Sequence, residues 1–294
     1  MKDQKKAYIF ALIAVFFWST VAVAFKLTLT ELHHDHIQML FLASVSSLLI
    51  LFISIISQKK LHLLKELTAK DFLFSAFLGS LNPFIYYLIL FKAYDLLPAQ
   101  EAQPLNFTWS IMLVLLSIPI LKQKISWKSI IAILISFFGV YVISTRGDVL
   151  SFRFSNPLGA TLALSTAVIW ALFWIYNAKD DKDAAVRLFL NFVFGTIYIT
   201  ITILIFSDIS NISFKGILGG TYIGFFEMGL TFLLWSKALK LSITTAKVSN
   251  LIFLAPFLSL ILIHLIVPNE DVLIATYIGL VFIVAGIYMQ RKVK

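Results

Sequence analysis

A chain of 294 residues that is 60% hydrophobic and only 13% charged carries about half the charge expected of a soluble domain. Its mean hydropathy of +0.93 leaves too little polar surface to wrap a core in water, so lipid is the solvent for most of it. The net charge of +9 is dispersed over short loops between apolar runs, which argues against a nucleic-acid face, and the lack of cysteine excludes disulfides and thiol catalysis.

The apolar runs are about 20 residues long, the length of a transmembrane helix and twice that of a barrel strand. In chain order they predict ten spans, over 7–27, 37–57, 71–91, 97–120, 128–145, 158–177, 186–206, 216–237, 246–267 and 271–290. The expected fold class is all-α integral membrane, with no room for a separate soluble domain. The first run follows Lys2, Lys5 and Lys6 but is long for a signal peptide and has no small-x-small cleavage site, so it reads as a retained helix. Trp18 and Ser19 lie near its middle. His33, His34, Asp35 and His36 come in the loop after it. Their spacing is too tight for all four side chains to converge on one ion, so neither a metal nor a cofactor is expected.

Asn82-Pro83 breaks the third span at its midpoint, with Tyr86 one turn on. The break is either a site-forming discontinuity or a kink repaired by neighbouring helices. The fourth span carries Glu101 in its first turn, where a carboxylate suits the helix dipole. Asn106 and Trp109 share a broad face with it, and Gln103 is nearby. In the sixth span Trp170, Trp174 and Asn177 form one stripe, a pattern open to packing or to a cavity wall. Asp180, Asp181 and Asp183, interleaved with Lys179 and Lys182, read as a solvated charge run. Glu227 lies near the middle of the eighth span, where a charge costs at least about 2.5 kcal/mol and demands a reason. It is either a substrate contact that also titrates or a protonated acid bonded between helices. Ser249, Asn250 and Pro256 make a polar, kinkable patch in the ninth span, and His264 is a lone polar contact near its end.

Loop charges orient the chain. With the N-terminus inside, 19 of the 24 Lys and Arg fall in inside segments, and only Lys26, Lys92, Arg146, Arg153 and Lys215 fall outside. This split obeys the positive-inside rule and puts both termini in the cytoplasm of a bacterial plasma membrane. The sequence also repeats itself. Leu78-Gly79 matches Ile223-Gly224 at an offset of 145, Gly139-Val140-Tyr141 matches Gly286-Ile287-Tyr288 at 147, and Trp18 matches Trp170 at 152. Two repeats of five helices follow, 7–145 and 157–290. Because five is odd, the second enters the membrane inverted, as in many secondary transporters. The offset pairs Glu227 with Asn82 at mid-depth.

These readings give Trp18, Asn82, Tyr86, Asn106, Trp109, Trp170, Glu227 and Asn250 as candidate substrate-binding residues, with Glu227 and Glu101 as candidates for proton coupling. The expected partners are a small-molecule substrate and membrane lipid, without nucleic acid, in a monomer or homodimer. No phosphate-binding glycine loop, HExxH motif or pair of aspartates within the spans supports an enzyme.

The segment Glu227-Met228-Gly229-Leu230-Thr231-Phe232-Leu233-Leu234-Trp235-Ser236-Lys237-Ala238-Leu239-Lys240 resembles the eighth helix of the drug/metabolite transporter superfamily, EamA type. Ala255-Pro256-Phe257-Leu258-Ser259, Asn269-Glu270, Gly279-Leu280 and Ala285-Gly286-Ile287 are similar to its later landmarks, and Trp18-Ser19-Thr20 to its first helix. Lys124 and Ala132 depart from it, standing where a Glu and a Gly are usual. Glu101-Ala102-Gln103-Pro104-Leu105-Asn106-Phe107-Thr108-Trp109 is similar to the fourth helix of the aromatic amino acid exporter branch. The resemblance implies ten helices in two EamA repeats and efflux of amino acids or similar metabolites by alternating access. A nucleotide-sugar, sugar-phosphate or lipid-carrier translocator of the same fold is the alternative, as is a membrane protein that transports nothing. The phosphate-carrying cargoes call for cavity Lys or Arg, which the spans lack at mid-depth.

Overall fold

The computed structural model describes residues 2–25, 35–97, 102, 105–150, 156–207, 212–266 and 273–293, without the side chains of 22, 25, 94, 95, 260 and 263. It is all-helical, with no strand among the described residues. Helices fall on every segment read from the sequence: α1 Gln4–Phe25, α2 His36–Ser57, α3 Ala69–Ala93, α4 Leu105–Leu121, α5 Trp127–Ser144, α6 Pro157–Lys179, α7 Ala184–Phe206, α8 Phe214–Leu241, α9 Thr245–Ile266 and α10 Ile274–Lys292. Eight of them, α2, α3 and α5 to α10, are long and apolar enough to cross a membrane, and α4 is a shorter apolar helix. Glu101, Gln103, His33, His34, Asn269 and Glu270 lie outside the described residues.

Polar side chains start these helices. The Asp35 carboxylate accepts the Ile37 N–H, and Thr68 and Asp71 form a capping box at α3. Asn156 accepts from Gly159 N ahead of α6, with Pro157 in the first turn, and Asp183 accepts from Ala185 N and Val186 N at α7. Asp35 and Ser207 also bond each other. Within the run His33–His36, read above as too tightly spaced for a metal site, Asp35 caps α2. Inside the apolar helices, Ser19, Ser47 and Ser117 return their hydroxyls to carbonyls three or four residues back (2.7 Å each), which spares lipid-depth polar groups from going unpaired.

Glycines set how the helices meet. A Cβ on Gly224 of α8 would strike the Ala43 carbonyl of α2, and the Ser47 hydroxyl donates to the Gly224 carbonyl at 2.8 Å. A Cβ on Gly79 of α3 would strike the Asn191 carbonyl of α7, and one on Gly195 would strike the Pro83 ring. Helices α5 and α10 cross on Gly139 and Gly279, each facing the other's carbonyl, and again where Gly286 meets the Ala132 carbonyl. Such contacts maximise dispersion where lipid removes any hydrophobic drive between helices.

Three helices are not regular. α3 contains a π turn over Ser80–Ile85, with Asn82 at non-helical φ −150°, ψ 125°, and α8 contains one over Gly224–Gly229. In α9 a 3-10 turn over Asn250–Phe253 separates two α segments.

Candidate functional site

The α8 π turn carries Glu227, and the aromatic side chains around it come from several helices. Tyr87 Oη on α3 donates to Glu227 Oε1 at 2.9 Å, and Trp18 Nε1 on α1 donates to the Glu227 carbonyl at 3.2 Å. The Trp18 ring lies 5.3 Å from Trp235, 6.3 Å from Trp170 and 6.4 Å from Trp109. Trp109 is 6.0 Å from Trp170 and 5.8 Å from Trp235, so the four indoles form one cluster. The Tyr86 ring lies tilted at 4.4 Å from Trp170 and edge-to-face at 4.8 Å from Tyr87. Beside it the Asn106 amide donates to Tyr86 Oη (3.2 Å) and to Thr166 Oγ1 (3.1 Å), and the Thr166 hydroxyl donates to the Ala163 carbonyl. Helices α1, α3, α4, α6 and α8 therefore converge on one place.

Six of the predicted residues meet there: Trp18, Tyr86, Asn106, Trp109, Trp170 and Glu227. Asn82 and Asn250 make no bond into this network. Both are buried (0% and 1% exposed), and neither has a partner for its amide oxygen or nitrogen among the described residues. The indole N–H groups of Trp170, Trp174 and Trp235 are equally buried and unpartnered. Orphaned polar groups in a protein interior are uncommon and call for an explanation. Glu227 and Trp18 are half-buried, whereas Trp109, Trp170 and Trp235 are buried.

Three members escaped sequence reasoning. Tyr87 carried a signal, because a tyrosine hydroxyl inside an apolar run needs a partner. Trp235 lies eight residues after Glu227 and shares its broad face. Thr166 had no signal beyond lying one turn before Trp170. The stripe residue Asn177 bonds the Phe173 carbonyl and Asn191 instead, as a helix-to-helix tie.

The Asp180–Asp183 stretch corrects its reading as a solvated charge run. Arg187, 2% exposed in the first turn of α7, holds Asp180 Oδ2 at 2.6 Å, Asp71 Oδ1 at 2.9 Å and Ser75 Oγ at 2.9 Å. Lys60 pairs with Asp183 at 2.6 Å, and Lys240 donates to the Asp180 and Lys182 carbonyls at 3.0 Å. Burial alone would raise the Asp183 pKa, but the Lys60 ammonium and the Ala185 and Val186 N–H groups outweigh it and hold the carboxyl below its ordinary value. Asp180 and Asp183 are therefore spent on holding α2, α3, α7 and α8 together at one end of the helices.

The chain is similar to known proteins along its whole length. The EamA-like transporter family matches residues 5–145 and 157–290. A protein of Clostridium kluyveri named an uncharacterized transporter is 28% identical over 290 residues, which cover 96% of this chain and 92% of the relative. An Acidianus ambivalens protein, named an uncharacterized transporter in the sor 3' region, is 30% identical over 211 residues, covering 69% of this chain and 79% of the relative. One crystal structure shares the fold at a TM-score of 0.81 and 18% identity, covering 98% of this chain and 96% of the other. With apolar helices long enough to span a bilayer and a family match across both halves, this chain belongs to the EamA-like transporter family and is a multi-pass membrane transporter.

Proposed function

We propose that this chain is a secondary active transporter that exports small organic metabolites such as amino acids by alternating access. It crosses the membrane ten times, as inverted five-helix halves 7–145 and 157–290, with both termini in the cytoplasm. The observation that carries this reading is the composition of the Glu227 site. One carboxylate, one amide, two phenols and four indoles converge from α1, α3 and α4 of the first half and from α6 and α8 of the second. Buried polar groups at membrane depth mark substrate pathways, and a site shared by two halves opens or closes as the halves rock.

The helix contacts support the inverted pair. Gly79 of α3 packs against α7 and Gly224 of α8 against α2, so partners are exchanged between halves, and the two π turns, Ser80–Ile85 and Gly224–Gly229, recur within one residue of the offset that relates Gly79 to Gly224. The crossing of Gly139 with Gly279 and of Ala132 with Gly286 has the form expected where equivalent helices meet at a pseudo-two-fold axis.

Counterflow of amino acids into proteoliposomes across a pH gradient tests this. Uptake should depend on pH in the wild type, and Glu227→Gln should remove that dependence. An unchanged pH profile would remove Glu227 from coupling, and no counterflow of any metabolite would overturn the transport reading.

A further inference from the structure

Helix α5 begins at Trp127 and α10 ends at Lys292, and the two ends are held side by side. The Gln290 amide donates to Ser129 Oγ at 3.2 Å, and one turn away Gly286 rests on the Ala132 carbonyl. Between these ends lies an open groove of about 680 Å³, whose lining includes Ser126, Trp127, Lys128, Tyr288 and Lys292. Its charge has one sign. None of its lining residues is acidic, and neither lysine pairs with a carboxylate among the described residues. Lys292 Nζ lies 4.4 Å over the Tyr288 ring instead. The groove also takes in the first turn of α5, where the Trp127 and Lys128 N–H groups have no acceptor inside the helix and the dipole adds positive potential. Away from the groove the surface turns apolar. Tyr288, Val284, Val281 and Tyr277 are 57%, 50%, 67% and 57% exposed and stand three or four residues apart, so one greasy stripe of α10 leads out of the groove along the helix.

We infer that this groove binds the headgroup of one anionic phospholipid, its phosphate between Lys128, Lys292 and the first turn of α5 and an acyl chain along the α10 stripe. A soluble anion would use the basic end and leave the stripe idle. A zwitterionic lipid would cover the stripe but bring its own cation up to two ammonium groups. An anionic lipid matches both parts: clustered lysines at helix ends attract its headgroup, and its tail needs apolar surface. Trp127, 65% exposed, and Tyr288 supply the amphipathic rings that settle at headgroup level. In the topology proposed above the site faces the cytoplasmic leaflet. The bound lipid bridges α5 to α10 at the end of their glycine crossing.

Native mass spectrometry of the purified full-length protein in mild detergent tests this, with phosphatidylglycerol and phosphatidylcholine of the same acyl chains. One phosphatidylglycerol should be retained at least about tenfold more tightly than phosphatidylcholine. Lys128→Gln combined with Lys292→Gln should cut that preference to about twofold or less. Lys65→Gln combined with Lys70→Gln removes the same charge from exposed positions on the same proposed membrane face, and should leave the preference intact. Equal retention of the two lipids overturns the inference. So does a preference that survives loss of Lys128 and Lys292, or one that falls as far with Lys65 and Lys70. Glycerol 1-phosphate carries the phosphate without tails; binding as tight as that of phosphatidylglycerol would make this a soluble-anion site and overturn the lipid. If the Lys128 and Lys292 double variant does not fold, the wild type still reports the location. Phosphatidylglycerol brominated in its acyl chains should quench the Trp127 fluorescence, taken as the difference from Trp127→Phe, more than brominated phosphatidylcholine does. Equal quenching overturns the site.

Discussion

Tyr87 and Glu227 lie 140 residues apart and meet through a single 2.9 Å hydrogen bond that joins α3 to α8. The tyrosine keeps the acid's position fixed among rings that offer no other donor to its carboxylate among the described residues. Tyr87→Phe keeps the ring stacking and removes the bond. A hydrogen bond to a charged group is worth about 1.5–3 kcal/mol, so a lower melting temperature and slower counterflow are expected. A melting curve that superimposes on the wild type would mean that the bond contributes nothing.

Arg187 is the most deeply buried cation described, held by Asp71 and Asp180. Arg187→Met takes the shared counter-ion from Asp180 and leaves Asp71 only the half-exposed Lys182 ammonium at 3.5 Å, and should cost about 3–5 kcal/mol. The companion change Asp71→Asn with Asp180→Asn should recover part of that loss, because neutral amides tolerate the missing charge. Unfolding in a mild-to-harsh detergent titration measures both. Equal stability of the single and triple variants would show that the loss is one of packing and not of charge.

Lys60 and Asp183 give the pH dependence a sign. The Asp183 pKa is lowered in the folded chain, so the pair contributes stability above the ordinary aspartate pKa of about 3.9 and loses it as the pH falls through the lower folded value. The pair is partly exposed, so the contribution is small, about 0.5–1 kcal/mol at neutral pH. Lys60→Gln should therefore be less stable than the wild type at pH 7, with the gap closing toward about pH 2. A constant gap across this range would rule out the ionic origin.

Gly279 offers a steric test. A Cβ there meets the Gly139 carbonyl and the Ile143 side chain, so Gly279→Ala should lose about 1–3 kcal/mol through forced separation of α5 from α10. Val281, two residues on and 67% exposed, is the control: Val281→Ala should change stability by no more than about 0.5 kcal/mol. Equal effects would place the crossing elsewhere.

The helices were legible because lipid imposes a length and forbids unpaired backbone, so each apolar run near 20 residues reads directly as a span. The pairing of Trp18, Trp109 and Trp170 was legible in part, since large polar-edged rings at mid-depth are unusual on a lipid face. The Tyr87–Glu227 bond was not, because nothing local distinguishes Tyr87 from Tyr86; which hydroxyl meets the acid depends on how α3 rotates after the Asn82 break. The Asp180 stretch misled for a similar reason. Alternating Asp and Lys looks the same in water and around a buried guanidinium, and Arg187 gave no sign of facing inward until α7 was packed on α3.

Where α5 crosses α10, main chain rests on main chain at Gly139 and Gly279. Side-chain contacts can shift by small rotamer changes, whereas a backbone seam has no such intermediate settings. It slides or separates only as a whole, and both cost contact along its full length. In the alternating-access cycle proposed above, such a seam would stay shut and the bundle would bend where the helices are already irregular, at Ser80–Ile85, Gly224–Gly229 and Asn250–Phe253. The glycine crossing then works as a keel: it is the fixed member against which every other displacement in the bundle is measured.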